Sequence, residues 1–202
     1  MSFKDNLYEV VRGAVQPQLV QHLDLEFELL KRVTYMKGGQ SEENKFMFGD
    51  TQVTNSFAYY SASCFESLAV QMLPMMEEIT DKKLYNTYTY ARIYYKGAIM
   101  TEHTDRPSCE FSTTVNISVD DEPWEIWFDN LKGERFPISL NPGDLIVYKG
   151  DILPHWRDEY KGERQTQAFL HYVDKFGRYR DYKYDHRPYL GFPPPSGGMG
   201  GI

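Results

Sequence analysis

The sequence predicts an α+β fold in which N-terminal helices buttress an antiparallel β-sandwich or barrel. Up to about residue 84, apolar residues recur at the spacing of a single helix face. From residue 85 onward the chain changes to short alternating segments rich in Val, Ile, Tyr, Phe and Thr. Turn signals at 132–133, 141–143 and 161–162 separate these segments. Helices that precede a run of short strands are typical of this class.

Two helices are predicted in the first half of the chain. The first begins at Pro17, and its apolar face is Leu19, Val20, Leu23, Phe27 and Leu30. Val33 to Met36 is then predicted to be a strand, and the polar stretch 37–56 a surface loop that is a candidate active-site lid. The second helix carries Phe65, Leu68, Met72, Leu73, Met76 and Ile79 on one face. Pro74 is expected to kink or interrupt this helix.

The second half of the chain is predicted to supply the β-sheet core. The alternating segments that predict strands are 88–95, 112–119, 124–128, 144–149, 153–157 and 165–173. We therefore predict one domain over residues 1–187, with its core at 85–174. The Pro- and Gly-rich tail, 188–202, is expected to be disordered.

Composition and net charge argue against several classes of protein. The chain has 202 residues, a net charge of −7 and a pI near 5.3, which argues against nucleic acid as the main partner. No apolar run approaches the roughly 18 residues that a membrane span needs. The N-terminus lacks the apolar core of a signal peptide. Cys64 and Cys109 cannot build a disulfide framework, so a reducing, intracellular location is expected.

A candidate metal site is the His-x-Asp pattern formed by His103 and Asp105. In a strand, residues i and i+2 point to the same side, with α-carbons about 6.6 Å apart. An imidazole and a carboxylate at this spacing can converge on one ion. A third ligand must come from a neighbouring strand, and His155 is available at the end of one. Two imidazoles and one carboxylate form the triad that suits non-haem Fe(II), with positions left open for substrate and O2.

Arg164 is the candidate partner for an acidic cosubstrate. If 153–157 and 164–173 form a hairpin, position 155 pairs near 166 and Arg164 lies roughly 7 Å from the metal ligand. That is about the length of a five-carbon dicarboxylate, whose far carboxylate would suit the planar guanidinium fork. The charges of Fe(II), Asp105, a dianion and Arg164 also sum to zero.

Other side chains near these positions are weaker candidates. Tyr94 or Tyr95 could donate a hydrogen bond to the distal carboxylate of the cosubstrate. Thr114 and Asn116, on the strand at 112–118, are candidates for the mouth of the cavity. Trp156 directly follows a ligand and is therefore expected to point to the opposite face of its strand.

Two segments that contain these candidate residues resemble a known protein family. TYARIYYKGAIMTEHTDRPSCEFSTTVNISV and NPGDLIVYKGDILPHWRDEYKGERQTQAFLHYVD resemble the start and end of the core in prolyl-4-hydroxylase-like 2-oxoglutarate- and Fe(II)-dependent dioxygenases. The match lies in the order of a strand tyrosine, His-x-Asp, a strand pair, a Pro-Gly-Asp turn, a distal His and a basic residue nine positions later. It covers residues 85 to 174.

The resemblance implies a double-stranded β-helix, or jelly roll, with iron in its mouth. It carries over His103, Asp105 and His155 as ligands, Arg164 as the cosubstrate anchor and Tyr95 as a further contact. The implied reaction hydroxylates a substrate C–H bond and converts 2-oxoglutarate and O2 to succinate and CO2; ascorbate is compatible with it. A peptidyl residue such as proline, or a small molecule, is the expected substrate. The sequence leaves the oligomeric state open.

Two other classes compete with this interpretation. A jelly-roll binding or structural module would share the strands but would give the ligands and Arg164 no joint role. A cupin-like metal enzyme would not use 2-oxoglutarate and would add ligands, for which Glu102 and Glu110 are the nearby candidates. Glu110 is also a candidate partner for Arg106, in a structural or substrate-facing pair.

Overall fold

Three helices in the first half of the chain pack against the sheets. The computed structural model describes residues 3–38, 52–120 and 122–192. The helices are α1 (Phe3–Asn6), α2 (Pro17–Gly38) and α3 (Ser63–Thr80). Helical spacing places Val20, Leu23 and Phe27 of α2 in the core, and Phe65, Leu68 and Met76 of α3. The predicted apolar faces are therefore the buried ones.

The strands form two antiparallel sheets. They are β1 (Tyr8–Val11), β2 (Ser56–Tyr60), β3 (Leu84–Tyr95), β4 (Met100–His103), β5 (Phe111–Val119), β6 (Ile126–Asp129), β7 (Arg135–Ile138), β8 (Leu145–Tyr148), β9 (His155–Arg157) and β10 (Arg164–Asp174). The six-stranded sheet has the order β1-β8-β5-β10-β3-β2, and the four-stranded sheet β4-β9-β6-β7. This mixture of helices and antiparallel sheets confirms the predicted α+β class.

Each face of the six-stranded sheet has a different neighbour. Val115, Ala168 and Leu170 belong to the apolar core that also contains the buried residues of α2 and α3. On the other face, Ile146 and Tyr148 pack against Ile126 and Phe128 of the four-stranded sheet. Because side chains alternate along a strand, each long strand contributes one set of residues to the helical layer and one to the space between the sheets. We call these the outer and inner faces.

The structure corrects several predicted elements. Val33 to Met36 is helical, since α2 continues to Gly38. Pro74 lies inside α3, so of the two expected effects, a kink or an interruption, the helix is not interrupted. Of the predicted lid, 37–56, residues 39–51 lie outside the described residues. Four short strands, namely β1, β2, β4 and β7, were not predicted.

The predicted hairpin between 153–157 and 164–173 is wrong. β9 pairs with β4 and β6 in the four-stranded sheet, whereas β10 pairs with β3 and β5 in the six-stranded sheet. The segment between them crosses from one sheet to the other. Arg164 therefore lies opposite Tyr95 of β3, not beside His155.

The C-terminal part of the described chain folds back onto β3. A short 3-10 segment, Arg180–His186, contacts this strand, and the Arg187 guanidinium forms a buried ion pair with Glu66 at 2.6 Å. The rest of the predicted tail, 193–202, lies outside the described residues. Within the described ranges, none of the helices is long and apolar enough to cross a membrane.

Candidate active site

Three predicted metal ligands converge in the structure. Ligand atoms of His103, Asp105 and His155 all lie within 4.8 Å of one another. Asp105 Oδ1 is 3.8 Å from His103 Nε2 and 3.6 Å from His155 Nε2. His103 ends β4 and pairs directly with His155 of β9, so the sheet register fixes both imidazoles side by side. Two nitrogens and one carboxylate oxygen can thus bind a single ion from one side.

Both imidazoles are oriented through their other ring nitrogen. His103 Nδ1 lies 2.8 Å from the Thr101 carbonyl oxygen, and His155 Nδ1 lies 2.9 Å from the Leu153 carbonyl oxygen. A carbonyl can only accept, so each Nδ1 carries the proton and each Nε2 keeps a free lone pair. Such outer bonds are a usual feature of histidines that bind metal. Burial lowers the pKa of His155, which favours the neutral ring that a metal requires.

Asp105 lies just beyond β4 and is held by contacts outside the His-x-Asp pattern. Its backbone N–H donates to the Gly150 carbonyl at 2.8 Å. Its Oδ2 accepts a hydrogen bond from the Ser112 hydroxyl at 2.8 Å. A β-carbon on Gly150 would overlap the Asp105 carboxylate and the Ser112 hydroxyl, so this close approach requires glycine. The sequence analysis did not identify Ser112 or Gly150.

A second cluster shares Asp105 with the first. Asp105, Cys109 and His171 also offer ligand atoms within 4.8 Å of one another. Burial raises the pKa of the Cys109 thiol, so it stays protonated at neutral pH and is a poor ligand. His171 Nδ1 already lies within hydrogen-bond distance, 2.9 Å, of the Ser112 hydroxyl. These features favour the first cluster as the metal site.

The ligands lie in the wall of a cavity between the two sheets. Its volume is about 470 Å³. The wall includes Tyr60, Tyr88, Tyr90, Tyr94, Phe169, Met100 and Ile126, together with Arg92 and Arg106. Such a mainly aromatic wall with a few convergent polar groups is typical of a small-molecule or cofactor site.

The weaker candidates divide between the two faces. Tyr94 and Thr114 line the cavity, as predicted. Tyr95 is on the outer face, where Lys31 of α2 donates to its hydroxyl at 3.1 Å. Asn116 is buried and donates from its amide to the Leu140 carbonyl, and it is absent from the cavity wall. Trp156 points away from the cavity and stacks on Trp127, as predicted.

The structure does not bring Arg164 to the cavity. Its guanidinium binds Asp24 of α2 through two hydrogen bonds of 2.8 and 3.1 Å, and donates to the Ser118 hydroxyl at 2.8 Å. It is not among the residues that line the cavity. The physical reason is strand parity, because Arg164 shares the outer face of β10 with Thr166, which also donates to Asp24.

The additional ligands expected of a cupin-like enzyme lie elsewhere. Glu102 is exposed and pairs with Arg135 at 2.9 Å. Glu110 pairs with Lys149 at 3.0 Å. The Arg106–Glu110 pair therefore does not form, and Arg106 instead binds both carboxylate oxygens of Asp185.

Arg157 is a buried residue that the sequence analysis did not identify. It is 1% exposed and follows His155 by two positions on β9. Its Nη1 donates to the Trp124 carbonyl at 2.6 Å, and the guanidinium lies over the Trp124 ring. Burial lowers the pKa of Arg157 to about 10. Residues two apart on a strand share a face, so parity with His155 was a signal that could have revealed it.

Comparisons with known proteins were informative only at the level of structure. No protein-family model matches the sequence, and no curated protein matches it. A Pseudomonas putida prolyl-4-hydroxylase superposes with a TM-score of 0.61 at 12% identity, covering 84% of this chain and 94% of that one.

Two further solved structures are similar over most of their length. HygX from Streptomyces hygroscopicus, with nickel, 2-oxoglutarate and hygromycin B bound, has a TM-score of 0.65 at 13% identity, covering 86% of this chain and 85% of HygX. The epimerase SnoN, in complex with Fe3+, α-ketoglutarate and nogalamycin RO, has a TM-score of 0.65 at 14% identity, covering 96% and 90%. The chain therefore has the fold of the 2-oxoglutarate-dependent Fe(II) oxygenases.

Proposed function

We propose that the protein is a 2-oxoglutarate- and Fe(II)-dependent dioxygenase with a jelly-roll core, and that His103, Asp105 and His155 hold the iron. The observation that carries this proposal is the convergence of the three ligand atoms within 4.8 Å. The hydrogen bonds to the Thr101 and Leu153 carbonyls also support it. They hold the Nδ1 atoms of the two histidines and leave both Nε2 atoms available for a metal. A non-catalytic module would have no need for this arrangement.

The residues between the sheets fit a polar cosubstrate. Gln165 Oε1, both amide atoms of Gln167 and Arg157 Nε are buried and have no hydrogen-bond partner within the described part of the chain. Buried polar groups are normally satisfied, so a cluster of unsatisfied ones indicates a missing polar partner. The carboxylates of 2-oxoglutarate would accept hydrogen bonds from the two donors among these atoms, Gln167 Nε2 and Arg157 Nε.

The residues present indicate which roles belong to the metal and cosubstrate and which to the protein side chains. Fe(II) and 2-oxoglutarate together supply the activation of O2, which protein side chains cannot perform. The three ligands bind the metal on one side, and Ser112 holds the Asp105 carboxylate in position. Met100, Ile126 and Phe169 line the cavity and keep water from the reaction.

The substrate is proposed to be a small molecule or an extended peptide side chain, such as a prolyl residue, hydroxylated at a C–H bond. The cavity volume of about 470 Å³ suits a small group better than a folded surface. The tyrosines in the wall provide flat apolar surface with polar tips. The solved structures of similar fold include both kinds of enzyme, a prolyl-4-hydroxylase and a protein with bound hygromycin B.

The test is an anaerobic titration with Fe(II) and 2-oxoglutarate, followed by the visible metal-to-cosubstrate charge-transfer band. The wild-type protein should show the band, and His155→Ala should lose it. We expect Fe(II) binding to weaken by more than about 100-fold, since loss of a mere outer partner already costs about 10–100-fold. His22→Ala is the matched control, because His22 is exposed on α2 and pairs with Glu26.

Cys109→Ala separates the two candidate clusters. It should retain iron if His103, Asp105 and His155 form the site. Loss of the band in Cys109→Ala together with its retention in His155→Ala would move the metal to the second cluster. Absence of the band from the wild-type protein would overturn the proposed function.

A further inference from the structure

Arg157 is a buried cation whose bonding is incomplete. It is 1% exposed, and among residues 3–38, 52–120 and 122–192 the ionisable groups that interact favourably with it are the tyrosines Tyr94 and Tyr148, with no carboxylate. Its Nη1 donates to a backbone carbonyl, that of Trp124, and its Nε has no hydrogen-bond partner among these residues. An arginine side chain remains protonated at neutral pH, so this position holds a buried positive charge.

Such a charge is costly unless an anion accompanies it. Removing an ion from water costs several kcal/mol, and only a paired, well-bonded counter-ion offsets this. Arg187, which is also buried, follows this rule, because it pairs with Glu66 at 2.6 Å. Arg157 departs from it, and the missing counter-ion is therefore expected to be a ligand rather than a protein group.

The location of Arg157 relative to the metal ligands is fixed by β9. Arg157 and His155 are on the same face of this strand, with α-carbons about 6.6 Å apart. That spacing is comparable with the length of a five-carbon dicarboxylate. Arg157 is not itself among the residues that line the cavity, but it interacts electrostatically with Tyr94 and Tyr148, which do line it. The Tyr148 ring also contacts the His155 ring, with centroids 4.9 Å apart.

The other arginines near the site already have partners. Arg92, in the cavity wall, donates from both terminal nitrogens, to the Ser56 hydroxyl and to Gln52 Oε1. Two further arginines have carboxylate partners. Arg164 is bound by both oxygens of Asp24 on the outer face. Arg106 reaches the cavity wall, but both of its terminal nitrogens donate to Asp185. A bound diacid would have to displace a protein carboxylate from either one, whereas Arg157 needs no such exchange.

We propose that Arg157 binds the distal carboxylate of 2-oxoglutarate, the role that the sequence resemblance assigns to Arg164. This inference rests on the proposed function. The charges again balance, since Fe(II), Asp105, the dianion and Arg157 sum to zero.

The experiment compares two keto acids that differ at the distal end. Dissociation constants of 2-oxoglutarate and 2-oxopentanoate are measured anaerobically with saturating Fe(II). The wild-type protein should prefer 2-oxoglutarate by about 100-fold, the scale of a buried charge-assisted pair. Arg157→Met should reduce this preference to within about threefold. Arg164→Met is the matched control and should keep the wild-type preference.

Stability provides a second, independent measurement. Replacing an unpaired buried charge by an apolar side chain of similar length should leave the thermal midpoint of the ligand-free protein unchanged or higher. Arg164→Met should lower this midpoint, because it breaks the bond to Asp24. Arg157→Lys retains the charge without the planar fork, and it should show an intermediate keto-acid preference.

The outcomes separate this inference from the proposed function. If the wild-type protein binds neither Fe(II) nor 2-oxoglutarate, the function itself fails. If wild type and Arg157→Met bind 2-oxoglutarate with the same preference, only the anchor assignment fails. Loss of preference in Arg164→Met, with retention in Arg157→Met, would restore Arg164 as the anchor.

Discussion

The polar side chains on the two faces of β10 differ in whether protein groups satisfy their hydrogen bonds. On the outer face, Arg164 and Thr166 both donate to Asp24, which also accepts from Ser118. On the inner face, Gln165 and Gln167 are more deeply buried yet have amide atoms without partners in the described part of the protein. Adjacent positions on a single strand thus differ in whether the fold satisfies them.

Along β10, this difference separates side chains that stabilise the fold from side chains that are available to bind a ligand. A satisfied network adds stability and leaves no site for a ligand. An unsatisfied buried group costs the desolvation of that group, about 1–3 kcal/mol, which a bound ligand can recover. We therefore expect substitutions on the outer face to change stability and substitutions on the inner face to change binding.

The largest expected effect on the outer face is that of Asp24→Ala. The variant leaves the Arg164 guanidinium half-buried without its main counter-ion and removes the acceptor used by Thr166 and Ser118. The free energy of unfolding should fall by about 2–3 kcal/mol, because the pair is only partly exposed. Urea denaturation measures this change, and the dissociation constant of 2-oxoglutarate should stay within about threefold of wild type.

Glu26→Ala is the control for that variant. Glu26 lies on the same helix, and its partner His22 is exposed. Its loss should change the free energy of unfolding by no more than about 0.5 kcal/mol. If Asp24→Ala left stability unchanged and abolished 2-oxoglutarate binding, the outer face would be the functional one.

The three candidate metal ligands could be predicted from the sequence because two of them form a local pattern and few histidines were available as the third. His103 and Asp105 are close in the chain, and His155 was the available histidine at the end of a predicted strand. The structure brings all three together. The long amphipathic helices and most central strands were predicted for the same reason, since periodicity of 3.6 or 2 is a local property.

The position of Arg164 depended on sheet pairing, which the local pattern does not determine. The predicted hairpin required β9 and β10 to be neighbours, but they belong to different sheets. A change of one residue in register moves a side chain to the opposite face, and Tyr94 and Tyr95 divide in the same way.

Val33 to Met36 shows a related limit of local patterns. The β-propensity of these residues predicted a strand, but they are helical because α2 continues through them.

A smaller effect is expected from Ser112→Ala on the inner face. The Ser112 hydroxyl lies 2.8 Å from Asp105 Oδ2 and 2.9 Å from His171 Nδ1. Its removal frees the Asp105 carboxylate to rotate, so Fe(II) affinity should fall by about tenfold. A competition titration with a colorimetric chelator measures this affinity.

Thr113→Val is the matched control for Ser112→Ala. Thr113 is the next residue on β5 and faces outward, and its buried hydroxyl has no partner in the described chain. The substitution should preserve Fe(II) affinity. Equal affinities in wild type and Ser112→Ala would show that Asp105 does not depend on this hydroxyl for its position.

The smallest effect is the pH dependence of stability contributed by the outer face. Burial alone would raise the pKa of Asp24, but hydrogen bonds and charge from Arg164, with bonds from Thr166 and Ser118, outweigh it and lower the pKa below its usual value. A lowered carboxyl pKa stabilises the folded state above the unfolded pKa, and this contribution disappears as pH falls through the folded value. Asp24→Asn cannot titrate, so its stability deficit relative to wild type should shrink between about pH 6 and about pH 3. Urea denaturation across this range measures the deficit. A constant deficit would mean that the Asp24 carboxylate contributes through hydrogen-bond geometry rather than through its charge.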